Sequence, residues 1–117
     1  MKLIRETVQE ILLLVQEMAD LLKQSPDFEA LEKGIYRLVQ QATLRLLQAA
    51  CAELDQQFMK NRDRKHLKIV HRKERTVLTP FGEVRIERRY YVDRESGQGR
   101  YLLDEALGLA PRQRLSP

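Results

Sequence analysis

Two stretches in the first half of the chain repeat apolar residues at intervals of three and four positions, the period of an amphipathic α-helix. The first predicted helix covers residues 3–24, and its apolar stripe is wide enough to need more than one neighbour. This stripe either packs in a core or forms a surface for a second copy of the chain or another partner. The second predicted helix runs from Pro26 to about Asn61, with Ser25 as its cap and Pro26 at its first position.

The second half of the chain changes to a period of two near Leu67, which is typical of β-strands. Thr79-Pro80-Phe81-Gly82 predicts a turn between two strands. A three-residue loop closed by Gly82 places Thr79 opposite Glu83. In that register one face of the hairpin packs against the rest of the protein. The opposite face is then cationic and carries the following residues: Lys73, Arg75, Arg85, Arg89 and Tyr91.

A turn at 93–97, a third strand at 100–103 and one helical turn at 104–108 follow the hairpin. The predicted fold class is α+β: an amino-terminal antiparallel helical hairpin, followed by a small antiparallel β-hairpin or three-stranded β-meander. Residues 1–61 form the helical hairpin and residues 62–103 the basic β-ribbon. Residues 104–117 form a short helical turn and a linker-like tail. All three belong to one structural unit.

Charge divides the chain into two parts. Residues 1–59 contain six basic and nine acidic residues, a net charge of −3, whereas residues 60–117 contain fifteen and eight, a net charge of +7. Lysine and arginine bind nucleic-acid phosphates without sequence preference. The alternative is a solvated sheet face whose charges prevent aggregation. The residues predicted to contact double-stranded DNA are Arg62, Arg64, Lys65, Lys68, Lys73, Arg75, Arg85, Arg89 and Tyr91.

No pattern in the sequence indicates an enzyme, a cofactor or a metal site. His66 and His71 are five residues apart and point to opposite faces of a strand. Asp93, Asp104 and Glu105 lie in or beside turns, where acidic residues are common for capping reasons. One cysteine, Cys51, excludes an internal disulfide and is typical of the cytoplasm. The longest apolar run is too short to span a membrane, and the amino terminus lacks the features of a signal peptide.

The hairpin and the segment after it resemble a known family. Residues 75–91 read Arg-Thr-Val-Leu-Thr-Pro-Phe-Gly-Glu-Val-Arg-Ile-Glu-Arg-Arg-Tyr-Tyr, and residues 101–109 read Tyr-Leu-Leu-Asp-Glu-Ala-Leu-Gly-Leu. This combination is similar to the amino-terminal region of an uncharacterised family grouped with insertion-sequence transposases. The Thr-x-x-Gly-x-Val core also resembles the same region of mutator-type transposases. The similarity covers roughly residues 50–117.

The resemblance implies a longer protein with a ribonuclease-H-like catalytic domain that uses three acidic residues and divalent metal. The chain stops at Pro117, before such a domain, so no catalytic residue is assigned to any position here. A truncated gene copy or an expressed fragment explains this ending. What the resemblance implies for these residues is recognition of DNA ends and oligomerisation. The alternative hypothesis is a helical oligomerisation or protein-interaction module, including a homodimer through the helices, without nucleic-acid binding.

Overall fold

The computed structural model describes residues 2–116 and confirms the α+β class. Two helices precede a three-stranded antiparallel sheet, and a short helix follows it. The strand order in the sheet is β1-β2-β3. The bounds of the elements are α1 Lys2–Lys23, α2 Phe28–Asn61, β1 Leu67–Thr79, β2 Gly82–Asp93, β3 Gly99–Arg100 and α3 Leu102–Leu107.

Helices α1 and α2 form the predicted antiparallel hairpin. Leu21, near the end of α1, packs against Gly34 near the start of α2, where an added Cβ would lie 2.7 Å from a methyl carbon of that leucine. Further along, Arg45 of α2 forms ion pairs with Glu10 and Glu17 of α1. The end of α1 therefore lies beside the start of α2, and the first half of α1 lies beside a later part of α2, as in an antiparallel pair.

The start of α2 differs from the prediction. The helix begins at Phe28, and its cap is Asp27, whose carboxylate accepts a hydrogen bond of 2.8 Å from the backbone N–H of Ala30. Ser25 instead adopts a left-handed conformation, with φ of 49°, and turns the chain between the helices. Asp27 is the better cap because its carboxylate also carries negative charge to the positive end of the helix dipole.

The register of the β-hairpin also differs from the prediction. The loop has two residues, Pro80 and Phe81, so that Thr79 lies opposite Gly82 and not opposite Glu83. Gly82 has φ of 128°, a value that residues with a side chain rarely adopt. Near the open end of the hairpin, a bulge between Ile69 and His71 shifts the pairing of β1 with β2 by one residue.

After the hairpin the chain folds back onto the sheet. The third strand is only Gly99–Arg100, and α3 begins at Leu102, so residues 102 and 103 are helical and not extended as predicted. The predicted stop of this helix at Gly108 is confirmed, because that residue is left-handed, with φ of 69°, and caps the helix with its N–H.

The core lies where the second half of α2, the turn end of the hairpin and α3 meet. Its buried residues are Cys51, Val77, Val84, Ile86, Leu103 and Leu109. Helix α1 contributes no buried residue and contacts α2 but no other helix or strand of the described chain. The radius of gyration is 18.3 Å, and the extents are 63 × 30 × 18 Å. A compact domain of this length has a radius of gyration of about 13 Å, so the molecule is elongated.

No helix in residues 2–116 has the length and apolar character needed to cross a membrane.

Candidate nucleic-acid interface

The observed register separates the four cations that were predicted to share one face of the hairpin. Lys73 lies opposite Arg88, and Thr76 lies opposite Arg85. Because side chains alternate across a strand, Lys73 and Arg75 point to the face that carries the core, whereas Arg85 and Arg89 point to the other face. The prediction of a single cationic hairpin face is therefore wrong. Its physical cause is the loop, which is one residue shorter than expected.

Arg89 is a structural residue and is not exposed for a ligand. Its guanidinium donates hydrogen bonds to Asp55 at 2.7 Å and to Gln56 at 3.1 Å, both on α2. The backbone N–H of Arg89 also donates to the carboxylate of Asp55, at 3.2 Å. The charged side chains of Arg89 and Asp55 are 10% and 6% exposed. This buried ion pair joins the middle of β2 to α2.

Arg75 is likewise used inside the protein, together with the adjacent Arg88. The carboxylate of Asp104 on α3 accepts hydrogen bonds from both arginines at 3.0 Å. Arg75 also donates to the carbonyl oxygens of Ala110 and Gln113, each at 2.6 Å, and so holds the carboxy-terminal segment against β1. The guanidinium of Arg88 lies 3.8 Å from the ring centre of Tyr101. We call Arg75, Arg88 and Asp104 the arginine clasp.

Tyr91 and Arg62 are the remaining predicted site residues that serve the fold. Tyr91 is 0% exposed, and its pKa is raised by burial and then by the nearby carboxylate of Asp55. Arg62 ends α2 by donating to the carbonyl oxygens of Met59 at 2.6 Å and Leu67 at 3.2 Å. Its guanidinium lies 6.0 Å from the ring centre of Tyr91. Tyr91 therefore offers no surface on which a base could stack.

The other five predicted residues are exposed. Arg85 stands on the outward face of the hairpin, 3.9 Å from Glu74. Arg64 and Lys65 are in the loop after α2, while Lys68 and Lys73 are on β1. Lys60 and Arg72, which are not among the nine predicted residues, are exposed in the same stretch. We call residues 60–73 the basic segment, and its six exposed cations are Lys60, Arg64, Lys65, Lys68, Arg72 and Lys73.

The cations of the basic segment are free of ion pairs. None of the six has an acidic partner within 4.0 Å among residues 2–116. Asp63 is the only acidic residue of the segment, and its carboxylate accepts hydrogen bonds from the backbone N–H of Lys65 at 2.9 Å and from the ring of His66 at 2.5 Å. The carboxylate of Asp63 therefore stabilises the loop and does not pair with the exposed cations.

His66 connects this loop to the turn after β2. Its second ring nitrogen lies 3.0 Å from Glu95, and its carbonyl oxygen accepts a hydrogen bond of 2.7 Å from the N–H of Arg94. The hydrogen bond with Asp63 is the main cause that raises the pKa of His66, and Glu95 adds to it. The same hydrogen bond lowers the pKa of Asp63. The loop that displays Arg64 and Lys65 is therefore held in a defined shape.

The basic segment continues along a strand whose outer edge is largely open. β1 is at the edge of the sheet, and within residues 2–116 the carboxy-terminal segment pairs with its backbone only at Leu78. Between β1 and that segment lies a cleft of about 750 Å³, lined by Lys73, Arg112 and Arg114 among others. Cations along an open edge discourage pairing with other strands, and they are also placed to contact phosphates.

The three acidic residues considered for metal chemistry have separate roles. Asp93 caps the turn after β2 by accepting from the N–H of Glu95 at 2.8 Å. Asp104 belongs to the arginine clasp, and Glu105 pairs with Arg100 at 2.7 Å. Residues 2–116 contain no group of three histidine, cysteine or acidic side chains that could hold a metal ion.

Comparison with known proteins identifies relatives along most of the chain. The model of an uncharacterised protein family, UPF0236, matches residues 21–117. A UPF0236 protein of Caldanaerobacter subterraneus subsp. tengcongensis is 33% identical over 97 residues, which is 82% of this chain and 21% of the relative. A second UPF0236 protein of that organism is 30% identical over 102 residues, 86% of this chain and 22% of the relative.

The chain thus spans about a fifth of the length of the curated relatives that it matches. No solved structure matches it. The matched residues include α2, the hairpin, the arginine clasp and the basic segment, so the similarity extends over the elements that form the core and display the free cations. On the family match and the identity to these relatives, the chain belongs to the UPF0236 family.

Proposed function

We propose that the basic segment binds double-stranded DNA and that this chain is the DNA-binding region of a longer, transposase-like protein. The observation that carries the proposal is the contrast between two sets of cations. Arg75, Arg88 and Arg89 are buried and paired with Asp104 or Asp55. The six cations of the basic segment are exposed and have no such partner within the described chain. Phosphates supply the missing negative charge.

The spacing along β1 suits a nucleic-acid backbone. A strand rises about 3.3 Å per residue, so Lys68 and Lys73 are separated by about 16 Å along it. Duplex DNA carries one phosphate per roughly 1.7 Å of helix axis, and a row of this length therefore faces several phosphates. The fixed loop at Asp63 and His66 adds Arg64 and Lys65 at one end of the row. Binding of this kind is electrostatic and has little sequence preference.

The experiment is a titration of fluorescent duplex DNA at several salt concentrations. We expect a dissociation constant on the order of 10⁻⁶ to 10⁻⁴ M near physiological salt. The triple variant Arg64→Ala, Lys65→Ala, Lys68→Ala removes about three phosphate contacts. It should flatten the slope of log affinity against log salt by roughly 3, because each cation contributes about one unit.

The matched control is the triple variant Lys23→Ala, Lys33→Ala, Arg37→Ala, which removes the same charge near the connection between α1 and α2. Lys33 and Lys60 are separated by about 40 Å along α2, at 1.5 Å per residue. The control should keep the slope of the unmodified chain. Absence of binding at low salt and micromolar protein contradicts the proposal, and so does an equal loss in both triple variants.

The transposase-like role is supported by the resemblance at residues 75–91 and 101–109. Under this proposal, a ribonuclease-H-like segment outside these 117 residues carries out the DNA-strand chemistry, and this chain contributes only DNA recognition. The test is the genomic neighbourhood. A continuing or adjacent reading frame that encodes such a domain supports the role, and a neighbourhood without one in every genome that carries the chain contradicts it. A cytoplasmic location, inferred from the single Cys51, belongs to the same proposal.

The second candidate function is a helical interaction module that does not bind nucleic acid. One observation favours it: the apolar residues of α1 are largely exposed, so this helix offers more apolar surface than α2 covers. The DNA titration separates the two candidates, because a pure interaction module shows no salt-dependent binding.

A further inference from the structure

Helix α1 carries two lengthwise stripes, and only one of them contacts α2. The half-buried stripe that faces α2 mixes leucines with polar residues, and its members are Leu3, Thr7, Glu10, Leu14, Glu17 and Leu21. The other stripe is entirely apolar, yet its members are 36% to 61% exposed. We call this second stripe the α1 seam, and it comprises Ile4, Val8, Ile11, Val15, Met18 and Leu22.

The α1 seam has the spacing of a helix-packing surface. Its residues follow one another at intervals of four, three, four, three and four, which are the a and d positions of three successive heptads. No charged or polar residue interrupts it. Leu12, which is 63% exposed, and Ala19 widen the stripe on one side. A stripe of this width is typical of a helix in a bundle, where apolar residues occupy a, d and one flanking position.

We propose that the α1 seams of two copies of this chain pack against each other and join two helical hairpins into a four-helix bundle. A two-fold interface requires a surface that is complementary to itself. The α1 seam meets this requirement because every position is apolar, so it selects no partner by charge. The proposal goes beyond DNA binding and does not depend on it.

The apolar area of the α1 seam is sufficient for a stable dimer. A large aliphatic side chain contributes on the order of 100 Å² when it is fully buried. With Leu12, seven such side chains approach the roughly 800 Å² per partner of a standard interface. At the start of α2, Phe28, Tyr36 and Val39 are 78%, 68% and 46% exposed and extend the apolar surface of the hairpin.

The experiment compares the mass of three proteins by sedimentation equilibrium at micromolar concentrations. The unmodified chain should have twice its mass of 13.8 kDa. Ile11→Asp places a charge in the centre of the α1 seam and should raise the dimer dissociation constant about 100-fold or more, since two unpaired carboxylates would be buried together. Leu13→Asp is the matched control, because this exposed leucine lies on α1 outside the seam, and it should remain dimeric.

A second measurement does not depend on how the variants fold. The thermal midpoint of the unmodified chain should rise with protein concentration, because association stabilises only the folded state. A monomeric unmodified chain overturns the proposal, and it would assign the α1 seam to a different occupant, such as a further part of the longer protein. Equal dissociation of Ile11→Asp and Leu13→Asp, with helix content retained, also overturns it.

Discussion

At the scale of the residue, burial decides whether an arginine of this chain is available to a ligand. Arg85, with its side chain 69% exposed, and Arg89, with 10%, are four positions apart on the same face of β2. The difference arises because α2 covers the sheet at Arg89 and supplies Asp55 there. A count of lysines and arginines in the sequence therefore overestimates the number of cations on the protein surface. Six of the exposed lysines and arginines lie within the fourteen residues of the basic segment.

The arginine clasp makes a prediction about stability. Asp104→Asn should lower the free energy of unfolding by about 3–5 kcal/mol, because it leaves Arg75 and Arg88 charged and buried without their carboxylate. The side chains of these arginines are only 9% and 8% exposed. Urea unfolding followed by circular dichroism measures the loss.

Glu105→Gln is the control for this variant. It removes the neighbouring carboxylate of α3, whose ion pair with Arg100 is substantially exposed. Exposed pairs contribute at most about 1 kcal/mol, so the control should be close to the unmodified chain. Equal losses for Asp104→Asn and Glu105→Gln would show that the clasp does not stabilise the fold.

His66 makes a prediction about pH. Its pKa in the folded protein lies above the ordinary 6.5, mainly because of the hydrogen bond with Asp63. The folded state therefore binds the proton more tightly than the unfolded state. The resulting stabilisation is complete below about pH 6.5 and is lost as the pH rises through the raised pKa. Titration of the imidazole protons by NMR should give the raised pKa.

Two variants test the cause of this shift. Asp63→Asn should lower the pKa of His66 toward its ordinary value, and Glu95→Gln should lower it less, because the charge of Glu95 is a smaller contribution. A pKa of His66 that is unchanged in Asp63→Asn would contradict the observed geometry of the loop.

At the scale of the element, the helices were predictable because their pattern is local and long. The repeat at Ile4, Val8 and Ile11 continues over 22 residues in α1, and α2 ends at Asn61 as expected. The short third strand was not predictable, because Leu102 and Leu103 fit a strand and a helix equally well. The contact of Asp104 with two arginines, which lie 29 and 16 residues earlier in the chain, stabilises the helical conformation here.

The register of the hairpin shows why the predicted site was wrong in part. Thr-Pro-Phe-Gly is compatible with a loop of two or three residues, and one residue of difference exchanges the two faces of a strand. The bulge after Ile69 has no signal in the sequence. The partnership of Arg89 with Asp55 joins positions 34 apart. The charge density of the basic segment is visible in the sequence, because it is a property of composition and does not depend on register.

Cross-linking tests the observed register. Cysteines at Thr76→Cys and Arg85→Cys lie directly opposite each other, where Cβ atoms are about 5 Å apart, and should form a disulfide under mild oxidation. Thr76→Cys with Ile86→Cys, a pair that the three-residue loop would place together, should not. Free thiol titration against the single buried Cys51 measures the yield. If the Thr76→Cys, Ile86→Cys pair forms the disulfide and the Thr76→Cys, Arg85→Cys pair does not, the hairpin has the three-residue loop, and the predicted single cationic face would be correct.

At the scale of the whole molecule, the two proposed surfaces occupy different elements. The connection between α1 and α2 lies at one end of α2, and the basic segment begins at the other end. The buried core contacts α2 between Leu44 and Phe58, and no residue of α1 is buried. An extended helical hairpin with an apolar surface is available for association while the cations remain free.

This arrangement predicts the shape of the isolated monomer. Ile11→Asp, which should not dimerise, is expected to keep a radius of gyration of about 18 Å in small-angle X-ray scattering, the value of the single chain being 18.3 Å. The reason is that α1 packs only on α2, and no element of the described chain folds over the α1 seam. A compact monomer would instead give about 13 Å. Such a value would mean that the helical hairpin folds back onto the sheet and covers its own apolar residues, and the reason for pairing two chains would then disappear.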